Sequence, residues 1–311
     1  MTDHDLTRLL PADRFGNVRS VTSFPHGLSG AAVYDVATDS GDFVVRVLDE
    51  SDDEQWRHRI ARLRVVAGAG IAPPLAWVDE GARATVSVKI AGQLPAALAD
   101  PSSRPLAIGS LVETLATLHR LPADGFAPAD PVVAARALWN EQHVKPGFPA
   151  WASPAVVQID RCAQRLDEDL RRVPSHNDMN PTNVLWDGTR VWLVDWDASG
   201  LTHPYYDLAV LSMFIVLDDA VALGLLARQE GAPITSEQAE TFRALRQLGA
   251  ILCGTMFLRL AGDLASVVPQ SLDETPTLLQ FYARLRAGEL AVRSPSGQAM
   301  FGAAMLRTGI G

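Results

Sequence analysis

One stretch of the sequence decides the fold: SHNDMNPTNVLWDGTRVWLVDWD, residues 175–197. Within it, Asp187-Gly188 is a strong turn signal between two β-rich runs, which predicts a β-hairpin. A four-residue loop at 187–190 would place Asn183 opposite Val194, whereas a two-residue loop would place it opposite Trp192. Either register brings Asn183 and Asp195 to the same end of the hairpin, and Asp178 lies on the loop that leads into that end.

The three oxygen-bearing side chains at this end differ in what they suit. Mg²⁺ prefers oxygen ligands and usually takes one or two protein groups together with substrate phosphates, which Asn183 and Asp195 match. Asp178 is spaced to accept a proton from an attacking hydroxyl. Metal-bound phosphates beside an aspartate that positions the nucleophile are the arrangement of phosphoryl transfer.

Composition limits the broad class of the protein. The chain has 311 residues, a net charge of −9, 48% hydrophobic residues and 20% charged residues, which is typical of a globular protein of one large or two ordinary domains. Both the first 90 residues and the remainder are acidic, so nucleic acid is not an expected partner, whereas a cationic small molecule is. The sequence leaves the oligomeric state open.

The sequence also predicts a cytoplasmic protein. The longest apolar runs, Leu208–Leu217 and Gly249–Leu258, reach about half of the roughly 20 residues that a membrane span needs. The N-terminus lacks the basic start and apolar run of a signal peptide. Cys162 and Cys253 lie far apart and fit no metal or redox spacing, which favours a reducing compartment.

The sequence pattern changes from strand-like to helical along the chain. This change predicts two domains, 1–90 and 91–311, that join near residues 88–93. The first 90 residues predict a small antiparallel sheet and one helix, which begins at a Ser51–Glu54 capping box and ends near Ala67. The rest is mostly helical by periodicity, apart from the hairpin. Its predicted helices are one through Leu111, Leu115 and Leu118 that ends near His119, and those at 155–171, 205–228, 236–262 and 275–291.

The pattern His176-x-Asp178-x-x-x-x-Asn183 followed by Asp195 resembles the aminoglycoside phosphotransferase and choline kinase family. Further segments extend the resemblance from about residue 20 to about residue 260: Asp195-Trp196-Asp197, Tyr206-Asp207-Leu208-Ala209, Leu115-Ala116-Thr117-Leu118-His119 and Gly27-Leu28-Ser29-Gly30. The resemblance implies an α+β, two-lobed, protein-kinase-like fold, with a small antiparallel-sheet N-lobe and a mostly helical C-lobe.

The resemblance also implies roles in the larger lobe. Asp178 would be the catalytic base, and His176 would brace the loop that carries it. Asn183 and Asp195 would hold Mg²⁺. Asp207 would anchor the loop from the following helix.

In the smaller lobe, the resemblance implies a nucleotide site. Ser29 belongs to the stretch that resembles the phosphate-covering loop. The segment from Val86 to Gly92, which includes Val88 and Ile90, would supply backbone groups to the adenine. Asp197 has two open roles: it caps a turn, or it approaches the metal or the substrate.

Two positions depart from the family pattern. The family usually places a basic residue on the third strand to grip the nucleotide phosphates. No lysine is available there, because the only lysines are Lys89 and Lys145, so Arg46 takes that position by elimination. Arginine grips phosphate bidentately and is not equivalent to lysine. The helix glutamate that pairs with this cation should fall near His58 or Arg59, where no acid exists, and Glu54 is the nearest candidate.

By resemblance, the function is that of a kinase that uses ATP and Mg²⁺ to phosphorylate a hydroxyl of a small molecule. Aminoglycosides, choline or ethanolamine, other amino alcohols and sugars all fit, and Arg46 with Asp195-Trp196-Asp197 leans toward the choline-kinase-like branch. One alternative is a catalytically silent nucleotide-binding protein. Another is a metal-dependent hydrolase that uses His176, Asp178, Asp195 and Asp197 with His203.

Overall fold

The computed structural model describes residues 9–24, 31–48 and 52–311. By compactness the chain divides into two units. The first comprises Met1–Phe126 and Pro181–Ser199, and the second comprises Ala127–Asn180 and Gly200–Gly311. The first unit therefore includes the hairpin segment, which comes late in the sequence. The division into lobes at 1–90 and 91–311 remains a prediction.

The described strands and helices are numbered here in chain order. The strands are β1 Val18–Ser23, β2 Ala32–Thr38, β3 Gly41–Val47, β4 Leu75–Asp79, β5 Ala84–Val88, β6 Val173–Ser175, β7 Val184–Trp186, β8 Val191–Leu193 and β9 Gly200–Thr202. The helices are α1 Ala12–Phe15, α2 Asp53–Gly68, α3 Leu94–Ala99, α4 Arg104–His119, α5 Pro131–Gln142, α6 Ala155–Glu168, α7 Tyr206–Phe214, α8 Asp219–Glu230, α9 Ser236–Ala261, α10 Leu278–Arg286 and α11 Pro295–Ile310.

The first unit is built on an antiparallel sheet, as predicted. Its described strands are ordered β1-β2-β3-β5-β4. Alternate residues of the inner strands, Val36, Val45 and Val86, are fully buried and belong to one apolar cluster. This alternation is expected for strands with one face against a core. The sheet fixes Arg46 of β3 between Val33 and Thr85.

Helix α2 begins one residue later than the sequence predicts. The side chain of Asp52 caps it by accepting hydrogen bonds from the backbone N–H groups of Glu54 and Gln55. The predicted capping box from Ser51 is therefore wrong, because Asp52 already satisfies these amide groups. Ser51 itself lies outside the described residues.

The second unit is mainly helical and is centred on α9 and α11. A Cβ atom at Gly254 of α9 would lie 2.8 Å from the carbonyl oxygen of Gly302, and one at Gly302 would lie 2.8 Å from that of Gly254. These glycines therefore let the two helix backbones approach closely. Within the described residues, α9 is the one helix long and apolar enough to cross a membrane, and 61% of its apolar window is buried inside the structure.

Most predicted helices of this unit are confirmed with changed bounds. The predicted 236–262 helix is α9, whereas the predicted 205–228 helix is two helices. The chain breaks there because Val216 adopts a positive φ of 54° and the side chain of Asp218 caps α8. The predicted 155–171 and 275–291 helices end earlier or are shorter, as α6 and α10.

Candidate active site

The hairpin adopts the register with the four-residue loop. Val184 pairs with Leu193, and the N–H of Val194 donates to the carbonyl oxygen of Asn183 at 3.0 Å. Asp187 fixes the loop, because its Oδ1 accepts from the backbone N–H groups of Thr189 and Arg190 at 2.8 Å each. Asn183 therefore lies opposite Val194, next to Asp195, at the open end of the hairpin within the first unit.

Asp195 has an unusual backbone and an unusual side-chain environment. Its φ of 65° and ψ of 69° lie in the left-handed region, which Asp tolerates better than most residues, and a short 3-10 turn follows at Trp196–Ala198. Its Oδ1 is buried without a hydrogen-bond partner among the described residues. That oxygen lies 3.1 Å from Arg46 Nη1, within ion-pair distance.

These oxygens fit a magnesium ion. Arg46 is the cation that compensates the buried Oδ1 of Asp195 in this structure. Oxygen donors from one carboxylate and one amide, with room for phosphate oxygens and water, are what Mg²⁺ takes. Asp195 also keeps 40% of its side chain exposed, so its second oxygen is accessible.

Arg46 is paired with acids of the turn after the hairpin. Its Nη1 reaches Asp195, and its Nη2 lies 2.5 Å from Asp197 Oδ2. Glu54, the nearest candidate for its helix partner, instead has an exposed carboxylate that lies 3.6 Å from His58 Nε2. The helix instead supplies a second cation, since Arg59 Nη1 contacts Asp197 Oδ1.

The remaining nucleotide-binding residues are located only in part. Ser29 and the rest of the predicted phosphate-covering loop lie outside the described residues. Val88 closes β5, and its N–H donates to the carbonyl oxygen of Pro74 at 2.9 Å, so the sheet already uses this donor. Ile90 follows the end of the strand and is half-buried.

In the second unit, Asp207 holds the loop that carries Asp178. It begins α7, is 1% exposed, and is placed beneath the end of β6. Its two carboxylate oxygens accept from the N–H groups of His176 and Asn177, each at 2.8 Å. Asn177 adopts a positive φ of 65°, and the N–H of Asp178 lies 3.4 Å from His176 Nδ1. The loop is therefore fixed through its backbone N–H groups, which bind the carboxylate of Asp207.

Burial sets the protonation of groups around this loop. Burial raises the pKa of Asp207 to about 6 against the opposing effect of its two N–H donors, and the nearby Asp178 charge raises it further. Burial also raises the pKa of the Cys253 thiol to about 12, again with a contribution from Asp178. A thiol with such a pKa is not a nucleophile at neutral pH.

His203 is held in a separate network. Its Nε2 lies 2.9 Å from Asp169 Oδ2, and its Nδ1 accepts from the N–H of Tyr205 at 3.2 Å. Arg171 pairs with the same carboxylate and stacks on the Tyr205 ring. Because both ring nitrogens of His203 are already bonded, it lacks the ligand role that the metal-dependent hydrolase alternative needs.

Asp178 belongs to the second unit, whereas Asn183 and Asp195 belong to the first. Their predicted convergence stays a prediction. Sequence reasoning missed Arg59, although it lies at the position where a glutamate was sought. It also missed Asn177, whose positive φ turns its N–H toward Asp207. The signal for Arg59 was the second aspartate of Asp195-Trp196-Asp197, which needs a cation.

A curated relative shows local sequence similarity to this chain. Protein LicA of Haemophilus influenzae is 35% identical over 48 residues, which are 15% of this chain and 14% of that protein. The match therefore spans well under two thirds of the relative.

Solved structures show the same fold over 80% to 98% of this chain. A choline/ethanolamine kinase family protein from Mesorhizobium loti has a TM-score of 0.66 and 20% identity, covering 98% of this chain and 99% of that one. A structure of LicA in complex with AMP has a TM-score of 0.60 and 16% identity, covering 81% and 86%. An aminoglycoside phosphotransferase from Streptomyces rimosus has a TM-score of 0.53 and 22% identity, covering 80% and 99%.

These neighbours confirm the two-lobed, kinase-like α+β fold. A sequence profile of the phosphotransferase enzyme family, APH, matches residues 20–248, which is more than half of the chain. That range contains the hairpin, the Asp178 loop and Asp207. The chain belongs to the APH phosphotransferase enzyme family.

Proposed function

We propose that this protein is an ATP-dependent kinase that transfers the γ-phosphoryl group to a hydroxyl of a small, cationic acceptor. The observation that carries the proposal is the hairpin register, in which Val194 bonds to Asn183 and so makes Asn183 and Asp195 neighbours. Two adjacent oxygen ligands at the end of a hairpin are what a metal–phosphate complex requires.

Asp178 is the proposed catalytic base, and His176 and Asp207 are positioning residues. Asp178 accepts the proton of the acceptor hydroxyl as that oxygen attacks the γ-phosphorus and ADP leaves. Asp207 fixes the loop through two backbone N–H groups, and the side chain of His176 is fully buried, with its Nδ1 3.4 Å from the N–H of Asp178. Such positioning matters because small misplacements in phosphoryl transfer reduce the rate strongly.

Asn183 and Asp195 are the proposed ligands of Mg²⁺, which when bound neutralises charge on the phosphates. Arg46 and Ser29 are proposed to bind the phosphates, and Val88 and Ile90 to border the adenine. Since the N–H of Val88 is used by Pro74, adenine recognition by backbone donors falls to the residues that follow it.

The acceptor is proposed to be an amino alcohol such as choline or ethanolamine, with aminoglycosides as the next class to test. Support comes from the neighbours of these two kinds and from the net charge of −9, which attracts cations. We also propose that the protein works in the cytoplasm, where ATP is abundant.

The test measures ADP release with Mg·ATP over a panel of amino alcohols, aminoglycosides and sugars. Wild type, Asp178→Asn and a control, Asp160→Asn, are compared. Asp160 is half-exposed and pairs with Arg136 of the same unit, so its loss should leave turnover unchanged. We expect acceptor-dependent turnover that Asp178→Asn reduces by about a thousandfold while nucleotide binding persists.

Two outcomes would contradict the proposal. Nucleotide binding without turnover on any acceptor would favour the catalytically silent alternative. Equal turnover in Asp178→Asn and wild type would remove Asp178 from the role of base.

A further inference from the structure

Helix α9 of the second unit has an apolar face that the fold leaves partly uncovered. One side of the helix packs against α11, where a Cβ atom at Gly254 would lie 2.8 Å from the carbonyl oxygen of Gly302. Residues spaced by three, four and seven positions share one face of a helix. The half-buried apolar residues on the face opposite to α11, called here the α9 stripe, are Leu252, Cys253, Met256 and Leu260.

The α9 stripe begins beside the loop that carries Asp178. Asp207 of α7 binds the backbone of that loop. Val210 follows Asp207 by three residues on the same face of α7, and it packs on α9, because a Cβ atom at Gly249 would lie 2.9 Å from Val210 Cγ2. Cys253 follows Gly249 by one helical turn. The stripe therefore starts one turn beyond the contact between α9 and the helix that anchors the loop.

Electrostatics agree with this placement. Burial raises the pKa of the Cys253 thiol to about 12, and the charge of Asp178 raises it further. Burial also raises the pKa of Tyr206 at the start of α7, with smaller contributions that include those of Cys253 and Asp178. Because the effect of a charge falls with distance, the three side chains lie near one another in the second unit.

The α9 stripe runs from this point toward α5. Seven residues separate Cys253 from Leu260, which is about 10 Å along the helix axis. Met256 lies between them, and its unbranched thioether side chain adapts to irregular apolar partners. Arg259, next to Leu260, lies 3.7 Å from Glu141 at the end of α5. An apolar surface therefore extends from the Asp178 loop and ends at a charged pair.

We propose that the α9 stripe binds an apolar part of the phosphoryl acceptor, so that the acceptor is an amino alcohol that carries an alkyl chain. The inference deepens the proposed kinase function and rests on it. The hydroxyl of the acceptor lies at the Asp178 end, and the alkyl chain extends along Met256 toward Leu260. The reaction is the one proposed above: the hydroxyl oxygen attacks the γ-phosphorus, its proton passes to Asp178, and ADP leaves.

The chemistry of the stripe distinguishes between acceptor classes. A partly exposed apolar surface gains free energy when an alkyl chain covers it, because both leave water. The sugar rings of an aminoglycoside, which carry polar groups, gain little from such a surface, and choline is too short to reach along it. The stripe therefore favours an amphiphilic amino alcohol over both.

The experiment compares three acceptors with the same hydroxyl and amine groups: ethanolamine, N-butylethanolamine and N-hexylethanolamine. Calorimetry measures their binding to the protein without nucleotide, and ADP release with Mg·ATP gives kcat/KM. The variants are Met256→Gln and Leu260→Gln, because glutamine is close to both side chains in size but is polar. Leu279→Gln is the matched control, since Leu279 lies on α10 of the same unit and is 63% exposed. Thermal melting shows whether each variant is folded.

Binding and kcat/KM of wild type should increase with chain length. We expect about a tenfold gain for the butyl chain and a larger one for the hexyl chain, since each methylene that leaves water completely contributes about fourfold. Met256→Gln should remove most of the gain for both chains. Leu260→Gln lies farther along the stripe and should reduce only the additional gain of the hexyl chain. Leu279→Gln should keep the gains of wild type.

Equal kcat/KM for the three acceptors in wild type would overturn the proposal. An unchanged gain in Met256→Gln, or an equal loss of the gain in Leu279→Gln, would do the same. If Met256→Gln does not fold, Leu260→Gln still decides the question by whether it separates the hexyl from the butyl chain. Binding that increases with chain length but leads to no turnover would uphold the stripe and defeat the proposed kinase function, so the two failures are distinguishable.

Discussion

Two aspartates that follow the hairpin, Asp197 and Asp207, are held in opposite ways. Asp207 in the second unit is 1% exposed and accepts two backbone N–H groups. Asp197 in the first unit keeps 29% of its side chain exposed and contacts two arginine side chains. A carboxylate that is bound by backbone N–H groups is held in one position, because the backbone there is fixed. A carboxylate that is bound by long, flexible arginine side chains can exchange its partners. The difference suits a fixed anchor in one case and an adjustable ion pair in the other.

The largest effect should come from breaking the anchor. Asp207→Asn keeps one acceptor oxygen but presents an NH₂ group to the second backbone N–H, so the loop that carries Asp178 loses a hydrogen bond and shifts. We expect kcat to fall by about a hundredfold or more with little change in KM for nucleotide. Steady-state kinetics measure this, with Asp160→Asn as control, and an unchanged kcat would contradict the anchoring role.

The pH dependence of wild type carries the same information. Its raised pKa of about 6 means that Asp207 binds its proton more tightly folded than unfolded. Its contribution to stability is therefore full below its unfolded value near pH 4 and is lost as the pH rises through 6. Activity needs the ionised acceptor and should rise over the same interval, so stability and kcat should move in opposite directions. Asp207→Asn should lack both trends.

The second prediction concerns the backbone that supports the hairpin in the first unit. Gly92 has a φ of 93°, and a Cβ atom there would lie 2.4 Å from the carbonyl oxygen of Trp186 in β7. Gly92→Ala should therefore lower the free energy of unfolding by about 3 kcal/mol, from backbone strain and the clash together.

Gly188→Ala is the matched control, because Gly188 has a similar φ of 99° with nothing within 4 Å of the added Cβ. It should cost only the strain, about 1 kcal/mol. Urea unfolding measures both variants. Equal losses in the free energy of unfolding for the two variants would mean that the close approach of Gly92 to β7 does not stabilise the hairpin. The contrast between contacts fixed by backbone and contacts made by side chains would then be weaker.

The smallest effect should come from the buried network of the second unit. His203→Phe leaves the Tyr205 N–H without its acceptor and removes one of the donors to Asp169 Oδ2, at a cost of about 1–2 kcal/mol in stability. Burial lowers the pKa of His203 despite Asp169. Wild type should therefore lose stability as the pH falls below about 6.5, and the variant should lack that loss.

His58→Phe is the control for this change, because His58 is 65% exposed and should alter stability by less than about 0.5 kcal/mol. Both variants should keep wild-type kcat. A large loss of activity in His203→Phe would show that this network does more than hold the chain.

The sequence predicted the parts of the molecule that depend on local chemistry. Asp187-Gly188 gave the hairpin, and Leu111, Leu115 and Leu118 gave α4, because turn residues and helical spacing act over a few positions. Helices α5 and α11 were missed although each begins with a capping side chain before a proline, Asp130-Pro131 and Ser294-Pro295. A capping side chain followed by proline is a local signal for the start of a helix, so both helices could have been predicted from the sequence.

The long-range pairings could not be predicted. Arg46 was assigned by elimination, but its contacts with Asp195 and Asp197 join residues about 150 positions apart. The search for its helix partner looked for an acid, and the residue found there, Arg59, carries the opposite charge. Local pattern cannot show that the acid comes from the hairpin turn, because the sheet, α2 and the hairpin must first be assembled.

The arginine on β3 also affects how this protein can be detected. Reagents that transfer an acyl group from a nucleotide phosphate to a nearby amine require a nucleophilic lysine, and a guanidinium that stays protonated does not react. The chain's two lysines are both engaged elsewhere, Lys89 with Asp35 and Lys145 with Glu141. Under the proposed kinase function, a chemical survey that reads lysine acylation would therefore miss the nucleotide site, whereas ATP would protect Arg46 from an arginine-directed dicarbonyl and so reveal it.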